Sequence, residues 1–288
     1  MKTGHGGGLT IGIVLILMAG LTFATLDSLG KQLMATLPVV QVLWARYVVH
    51  TMFSTGYLAG TTGRRFLRTR RPVLHLLRGM ALLTASACVY AALAHVPIAD
   101  VTAIVFFSPF VITLLSVIFL KERIGIHRIG ALVCGMAGVI LIIRPGFGDT
   151  GVYHVLALAG SVANAIYILL TRQLADPTER EAAQFHTTAA GALILSVVVV
   201  PAWVTPGLAD AALLVLLGGL ATVGHFMLLR GFAHASASLL SPFLYGQVIF
   251  AALYSWYWFG DPLAPTMIAG TVLLVASGLY IWWRENRT

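Results

Sequence analysis

The chain has 288 residues, of which 59% are hydrophobic and 10% are charged, and its mean hydropathy is +0.91. Soluble domains carry about 25% charged residues, so this composition argues against a soluble globular protein and indicates an integral membrane protein. The formal net charge of +8 would suit nucleic-acid binding, but the basic residues lie mostly in loops, where they face anionic lipid headgroups. We therefore expect a lipid bilayer and no nucleic acid as a partner.

Ten apolar runs follow one another along the chain, most of them close to the roughly 20 residues that cross a bilayer as a helix. Membrane β-barrels show a weaker alternation of polar and apolar residues, which these continuous runs lack. The predicted fold class is therefore an all-α integral membrane protein with ten transmembrane helices. The predicted spans are 9–36, 39–58, 73–95, 98–120, 127–143, 151–171, 182–203, 211–233, 236–259 and 265–283.

The basic residues predict the orientation. The loop after the second run carries the arginines Arg64, Arg65, Arg68, Arg70 and Arg71. Under the positive-inside rule this loop is cytoplasmic, and alternation along ten spans places most other lysines and arginines on the same side. We expect a multi-pass protein of the bacterial inner membrane with both termini in the cytoplasm.

A sequence pattern in residues 91–145 returns in residues 229–284, where Ala94-His95 falls on Ala233-His234. Five spans per repeat is an odd number, so the second copy enters the membrane in the opposite sense. Inverted repeats are common in secondary transporters, whose substrate cavity lies near the middle of the membrane between the halves. The predicted domains are a cytoplasmic tail at 1–8, a first five-helix repeat at 9–146 and a second at 147–288.

Short motifs occur in both halves: Ala92-Leu93 with Pro97, Ser108-Pro109, Lys121-Glu122-Arg123, Ser241-Pro242 and Gly260-Asp261-Pro262. Together they resemble the drug/metabolite transporter superfamily, in its ten-helix EamA-type branch. Arg46 matches an arginine that this family often carries in its second span, whereas Lys121 replaces the family's usual glycine. The general pattern looks like the bacterial exporters of aromatic and other neutral amino acids.

The resemblance implies a secondary transporter that exports amino acids and related small metabolites across the inner membrane by alternating access. It leaves other cargoes open, including drugs, sugars, nucleobases and lipid-linked precursors. A membrane-embedded enzyme would need a motif such as H-E-x-x-H or G-x-S-x-G, and the sequence contains neither. We therefore expect no enzyme activity, no catalytic residue, no metal and no cofactor, in a monomer or weak homodimer.

Polar and aromatic residues in the middle of predicted spans are the candidates for substrate binding. A zwitterionic amino acid needs hydrogen-bonding groups for its two ends and an apolar or aromatic wall for its side chain. Each polar residue has an alternative role, because hydrogen bonds between helices in membranes contribute about 0.6 kcal/mol each. The candidates are Ser86, Tyr90, Phe106, Asn164, Tyr167, His225, Tyr245 and Gln247.

Three charged residues are candidates for coupling or for an ion pair. Asp27 is expected well inside a span, where a charged side chain usually faces a cavity or a partner. Lys31 lies one helical turn further on and is predicted to pair with Asp27. Arg46 is expected near the same, non-cytoplasmic end of its own span. The functional alternative to a structural ion pair is a site for a substrate ammonium group or a proton.

Three further residues are candidates for a gate or hinge. His95 and His234 occupy equivalent positions in the two halves, each near the end of a span; the alternative role is a histidine stabilised by the helix dipole. Pro109 removes a backbone hydrogen bond from its span, which predicts a kink and a free carbonyl near Val105. This kink is either a hinge or a static bend.

Overall fold

A computed structural model of the protein describes residues 5–120, 125–143, 151–173, 180–234, 240 and 243–285. Within these ranges the regular structure is helical, and no strand occurs. The α-helices are α1 His5–Leu33, α2 Val39–Thr62, α3 Pro72–Leu93, α4 Ile98–Val105, α5 Ser108–Leu120, α6 Ile126–Ile143, α7 Gly151–Gln173, α8 Arg180–Val198, α9 Leu208–His234, α10 Gly246–Phe259 and α11 Pro265–Glu285.

Six helical segments among the described residues are long and apolar enough to cross a membrane. They are Gly8–Leu33, Pro72–Leu93, Ile98–Leu115, Gly151–Thr171, Leu208–His234 and Pro265–Arg284. Two shorter apolar helices cover Ile129–Ile143 and Ala182–Val198. The all-α membrane fold is thus confirmed, whereas the count of ten spans and the inverted arrangement stay predictions.

The span predicted at 98–120 is found as one candidate membrane segment, Ile98–Leu115, with a break between two helices near the predicted kink. α4 ends at Val105 and α5 begins at Ser108, so Pro109 lies in the first turn of a new helix, where a proline needs no backbone donor. The hydroxyl of Ser108 donates a hydrogen bond of 2.6 Å to the carbonyl oxygen of Val105. The carbonyl that we expected to be free is therefore occupied.

Other boundaries also differ from the sequence prediction. α1 begins at His5, so part of the tail predicted at 1–8 is helical. α8 ends at Val198 and is followed by a short 3-10 helix, Val200–Ala202, within the span predicted to reach residue 203. The motifs at 121–123 and 241–242 lie outside the described residues.

Most of the helix packing joins an element before residue 144 to an element after residue 150. α1 packs against α9 and α10, α2 against α8 and α9, α3 against α7 and α8, α4 against α7 and α10, and α6 against α11. A buried apolar core that includes Leu26, Leu43, Ile104 and Leu217 lies between these pairs. The two predicted halves therefore share one core, and the polar residues below lie where their helices meet.

Glycine allows the closest of these contacts. A Cβ atom added to Gly138 of α6 would lie 2.7 Å from the carbonyl oxygen of Gly270 in α11. Since a Cβ cannot approach a carbonyl oxygen so closely, the two helices can lie at this distance only with glycine at the contact. Gly224 of α9 similarly makes room for the ring of Phe23 in α1, which would lie 2.8 Å from an added Cβ.

Candidate functional site

Two opposite charges lie near one buried tyrosine, where α1, α2 and α3 contact one another. Asp27 of α1 stands one helical turn before Gly30, which packs against Tyr90 of α3, and Arg46 of α2 packs on the same tyrosine; both charged side chains are half-buried. The guanidinium of Arg46 lies over the ring of Tyr90 in α3, with 5.1 Å from Cζ to the ring centroid. A cation in this position is stabilised by the negative face of the ring, by roughly 0.5–2 kcal/mol. The three helices thus place an acid, a base and an aromatic ring at one point.

Asp27 and Arg46 do not form a direct salt bridge. No nitrogen of Arg46 lies within 4.0 Å of a carboxylate oxygen of Asp27. Both side chains are only partly buried, so each charge keeps part of its surface exposed. This arrangement differs from the closed ion pair that a purely structural role would favour.

Tyr90 forms a rigid wall of this site. Its side chain is fully buried, and Gly30 of α1 makes room for it, since an added Cβ on Gly30 would lie 3.1 Å from the tyrosine hydroxyl. One turn earlier on α3, the hydroxyl of Ser86 shares a hydrogen bond of 3.1 Å with the hydroxyl of Tyr47 in α2. Ser86 and Tyr47 are both buried, so this bond joins α2 to α3.

His225 of α9 lies beside the charged centre in a defined tautomer. Its Nδ1 is 2.8 Å from the carbonyl oxygen of Ala221. A carbonyl oxygen only accepts, so Nδ1 carries the proton and Nε2 of the neutral ring is an acceptor. The ring of Phe23 contacts the imidazole edge-on at 5.1 Å, and the ring of His50 in α2 lies 5.1 Å away.

Sequence reasoning missed His50. The side chain is 5% exposed, and its Nε2 has no hydrogen-bond partner among the described residues. His50 stands one helical turn after Arg46, so the same face of α2 carries both. That spacing is the signal that could have identified it, once Arg46 had been chosen as a candidate.

Asn164 of α7 belongs to a second polar cluster, at the break between α4 and α5. Its Nδ2 donates to the hydroxyl oxygen of Ser108 at 3.1 Å. The hydroxyl oxygen of Ser161 lies 3.3 Å from that of Ser108. Beside the break, the ring of Phe106 lies 5.4 Å from the ring of Tyr245, just before α10. The structure therefore brings the candidates Asn164, Phe106 and Tyr245 to the same break in the helix.

Tyr167 is bound to an arginine that sequence reasoning also missed. Arg78 of α3 is 6% exposed and lies 4.9 Å from the centroid of the Tyr167 ring. Its guanidinium donates to the hydroxyls of Tyr167, Thr171 and Thr187 and to the carbonyl oxygen of Ala183, at 2.6–3.0 Å. These acceptors are all neutral and belong to α7 and α8. Tyr167 therefore helps to hold three helices together.

The predicted pair of Lys31 with Asp27 is wrong. Nζ of Lys31 donates a hydrogen bond of 2.6 Å to the carbonyl oxygen of Val96 and lies 5.6 Å from the ring centroid of Phe259. The charges that attract it are Asp261 and Asp100. The long side chain extends past the end of α1 to the turn before α4, because a carbonyl and two acids surround that position.

The remaining candidates lie at helix ends. His95 is exposed and stacks on Tyr153 with ring centroids 3.9 Å apart, and His234 is the exposed last residue of α9. Gln247 lies in the first turn of α10, where its backbone nitrogen is 3.3 Å from the position of an added Cβ on Gly20. None of these three joins the charged centre in the described contacts.

A bundle of apolar helices that encloses ionisable side chains is typical of a membrane transporter, because such residues mark transport pathways. The model of the EamA-like transporter family matches residues 10–144 and residues 152–283. The chain therefore belongs to the EamA-like transporter family, within the drug/metabolite transporter superfamily, and the resemblance noted in the sequence is confirmed. It is a membrane transporter and not an enzyme.

Three similar proteins illustrate the range of the family. The pseudopaline exporter CntI of Pseudomonas aeruginosa is 29% identical over 92% of this chain and 94% of its own length. The S-adenosylmethionine uptake transporter of Rickettsia bellii is 25% identical, with 96% and 95% covered. The riboflavin transporter of Rhizobium johnstonii is 28% identical, with 96% and 92% covered.

A solved crystal structure of a protein shares the fold. It superposes with a TM-score of 0.66 over 99% of each chain, at 18% sequence identity. This likeness extends over the whole length of the chain. It supports the arrangement of the helices described above.

Proposed function

We propose that this protein is a secondary transporter that exports amino acids, aromatic and other neutral, and related small metabolites across the bacterial inner membrane. The observation that carries the proposal is the charged centre formed by Asp27 and Arg46 beside Tyr90. Both charges lie in a bundle whose outer surface is apolar, where a charged group is costly. A role in binding a charged polar substrate accounts for the presence of such groups inside the bundle.

Alternating access is the proposed mechanism, with ten helices arranged as two inverted repeats of five. Two matches of one family model to residues 10–144 and 152–283 support the repeat. The packing of α1 on α9, α2 on α8 and α3 on α7 supports a pathway between the two halves. The arginines of the loop at 61–72 support cytoplasmic termini, and the protein is proposed to be a monomer or weak homodimer.

The substrate-binding residues that we propose surround this centre and the neighbouring break between α4 and α5. Tyr90 and His225 border the charges, and Asn164, Phe106 and Tyr245 lie at the break. Ser86 and Tyr167 are bound to other side chains and support the walls.

A second candidate function is the transport of another small metabolite in either direction. The similar proteins are named for pseudopaline export, S-adenosylmethionine uptake and riboflavin transport, so the family covers both directions and several cargoes. S-adenosylmethionine is a derivative of methionine, which favours cargoes that contain an amino acid.

The test is uptake of labelled threonine, methionine and phenylalanine into proteoliposomes, with and without an imposed pH gradient. We expect saturable uptake of at least one amino acid and none in protein-free liposomes. Uptake of labelled riboflavin and labelled S-adenosylmethionine is measured in parallel. Failure of all three amino acids, with protein that elutes as a single folded species, would reject amino acid transport, and uptake of either of the other two compounds would then favour the second candidate.

A further inference from the structure

We propose that Arg46 and Asp27 form a two-point site for a zwitterion, in which Arg46 binds the carboxylate of an α-amino acid and Asp27 binds its ammonium group. This inference rests on the proposed function and deepens it, because it assigns the two ends of the cargo to two residues on different helices. It also gives a role to two opposite charges that lie beside the same tyrosine without forming a salt bridge.

The geometry suits a ligand that carries both charges. Arg46 and Asp27 both lie beside Tyr90, Arg46 over its ring and Asp27 one helical turn before Gly30, yet no nitrogen and oxygen of the pair lie within 4.0 Å. In an α-amino acid the ammonium and carboxylate groups are separated by a single carbon atom. Such a molecule can form two charge-assisted hydrogen bonds, one with each residue.

A comparison of the two enclosed arginines indicates which of them has donors left for a ligand. Arg78 donates to four oxygens of α7 and α8, so its role is to join helices. Arg46 instead rests on the face of Tyr90, and no oxygen of the described residues, including the Tyr90 hydroxyl, accepts a hydrogen bond from it. A guanidinium held by its face keeps N–H donors for a carboxylate, which it can bind in a bidentate manner.

The position of Arg46 is fixed before any ligand arrives. The ring beneath it is fully buried, and Gly30 makes room for the tyrosine hydroxyl. A pre-organised donor loses less entropy on binding than a free side chain would. Because the site contains one positive and one negative charge, a ligand of net charge leaves one of them poorly paired, so the site selects neutral zwitterions.

The experiment uses three probes that share a phenyl group and differ at the charged end. Phenylalanine carries both charges, phenethylamine lacks the carboxylate and 3-phenylpropionate lacks the ammonium group. Each probe competes with labelled phenylalanine for uptake by the full chain in proteoliposomes. We expect both analogues to compete roughly tenfold to a hundredfold less well than phenylalanine, the range for a lost charged hydrogen bond.

Variants assign each end of the probe to a residue. In Arg46→Gln, the affinity for phenylalanine should fall to the level of the affinity for phenethylamine, which stays unchanged. In Asp27→Asn, the affinity for phenylalanine should fall to the level of the affinity for 3-phenylpropionate. Arg46→Lys restores the charge and should recover part of the affinity. Asp210→Asn removes a charge elsewhere and should leave the order of the three probes unchanged.

Three results would overturn the inference. Equal competition by all three probes in the parent protein means that the charged ends are not recognised, although phenylalanine transport itself would then still support the proposed function. Equal weakening of all three probes by both variants means that Arg46 and Asp27 act on the fold. If the parent protein binds none of the amino acids, the proposed function fails and the inference fails with it. Thermal unfolding in detergent identifies variants that do not fold, and for those Arg46→Lys supplies the comparison.

Discussion

Lys31 binds the carbonyl oxygen of Val96 through a hydrogen bond of 2.6 Å that joins the end of α1 to the turn between α3 and α4. The same ammonium group lies 5.6 Å from the ring of Phe259 and is attracted by Asp261, both close to the end of α10. One side chain thus connects elements from both halves of the chain at one end of the bundle. In alternating access, contacts of this kind must break when that end opens.

We therefore predict that Lys31→Met, which keeps the length of the side chain but removes its charge, loosens this end of the bundle. The measurement is the rate of maleimide labelling of Val96→Cys in detergent, in a background with Cys88→Ser and Cys134→Ser, since the chain has 2 cysteines. Val96 is fully buried, so labelling reports opening. We expect a severalfold faster rate in Lys31→Met and a parent-like rate in Lys31→Arg. Identical rates in all three proteins would show that Lys31 does not hold this end closed.

The Gly138–Gly270 contact predicts a steric effect that depends on position. Gly138→Ala places a Cβ 2.7 Å from a carbonyl oxygen, so α6 must move away from α11, and overpacking of this kind costs about 1–3 kcal/mol. Gly130 lies on the same helix with nothing within 4 Å of an added Cβ. Gly130→Ala should be neutral or stabilising, by up to about 1 kcal/mol, because alanine favours a helix. The check is thermal unfolding in detergent, and an equal change in both variants would contradict the packing argument.

Arg78 predicts a large structural effect from a change that keeps the charge. Arg78→Lys retains the positive group but cannot reach four acceptors on two helices, so the hydroxyls and the carbonyl that it serves lose their donor. We expect a loss of about 2–4 kcal/mol, as for a buried hydrogen-bonded charge that loses partners. Arg68→Lys, at an exposed arginine of the loop after α2, is the matched control and should change little. A small effect at both positions would mean that the network does not stabilise the bundle.

Much of the fold follows from the sequence, because an apolar run long enough to cross a membrane has few alternatives to a helix. The run predicted at 73–95 is α3, Pro72–Leu93, and the run predicted at 151–171 is α7, Gly151–Gln173. The kink predicted from Pro109 lies in the correct span, since the helix is interrupted directly after Val105. The sequence did not predict that the chain starts a new helix there, with Pro109 in its first turn.

The hydrogen-bond partners of polar residues were much harder to predict from the sequence, for a physical reason. Spacing along one helix predicts the face that a residue occupies, but the partner on a neighbouring helix depends on how both helices are rotated. Lys31 and Asp27 are one turn apart, yet Lys31 extends to Val96, 65 residues further along the chain. Arg78 was not selected, because none of its four acceptors is near it in sequence.

His225 provides a last prediction, which separates its hydrogen bond from its bulk. Nδ1 donates to the carbonyl oxygen of Ala221 one turn earlier, and an asparagine amide can place a nitrogen in nearly the same position. His225→Asn should therefore be more stable than His225→Leu by about 1 kcal/mol, the typical contribution of one hydrogen bond. Both variants lose the ring contacts with Phe23 and His50, so that loss cancels in the comparison. Thermal unfolding in the same detergent measures the difference, and a leucine variant as stable as the asparagine variant would show that the Nδ1 bond contributes nothing to the fold.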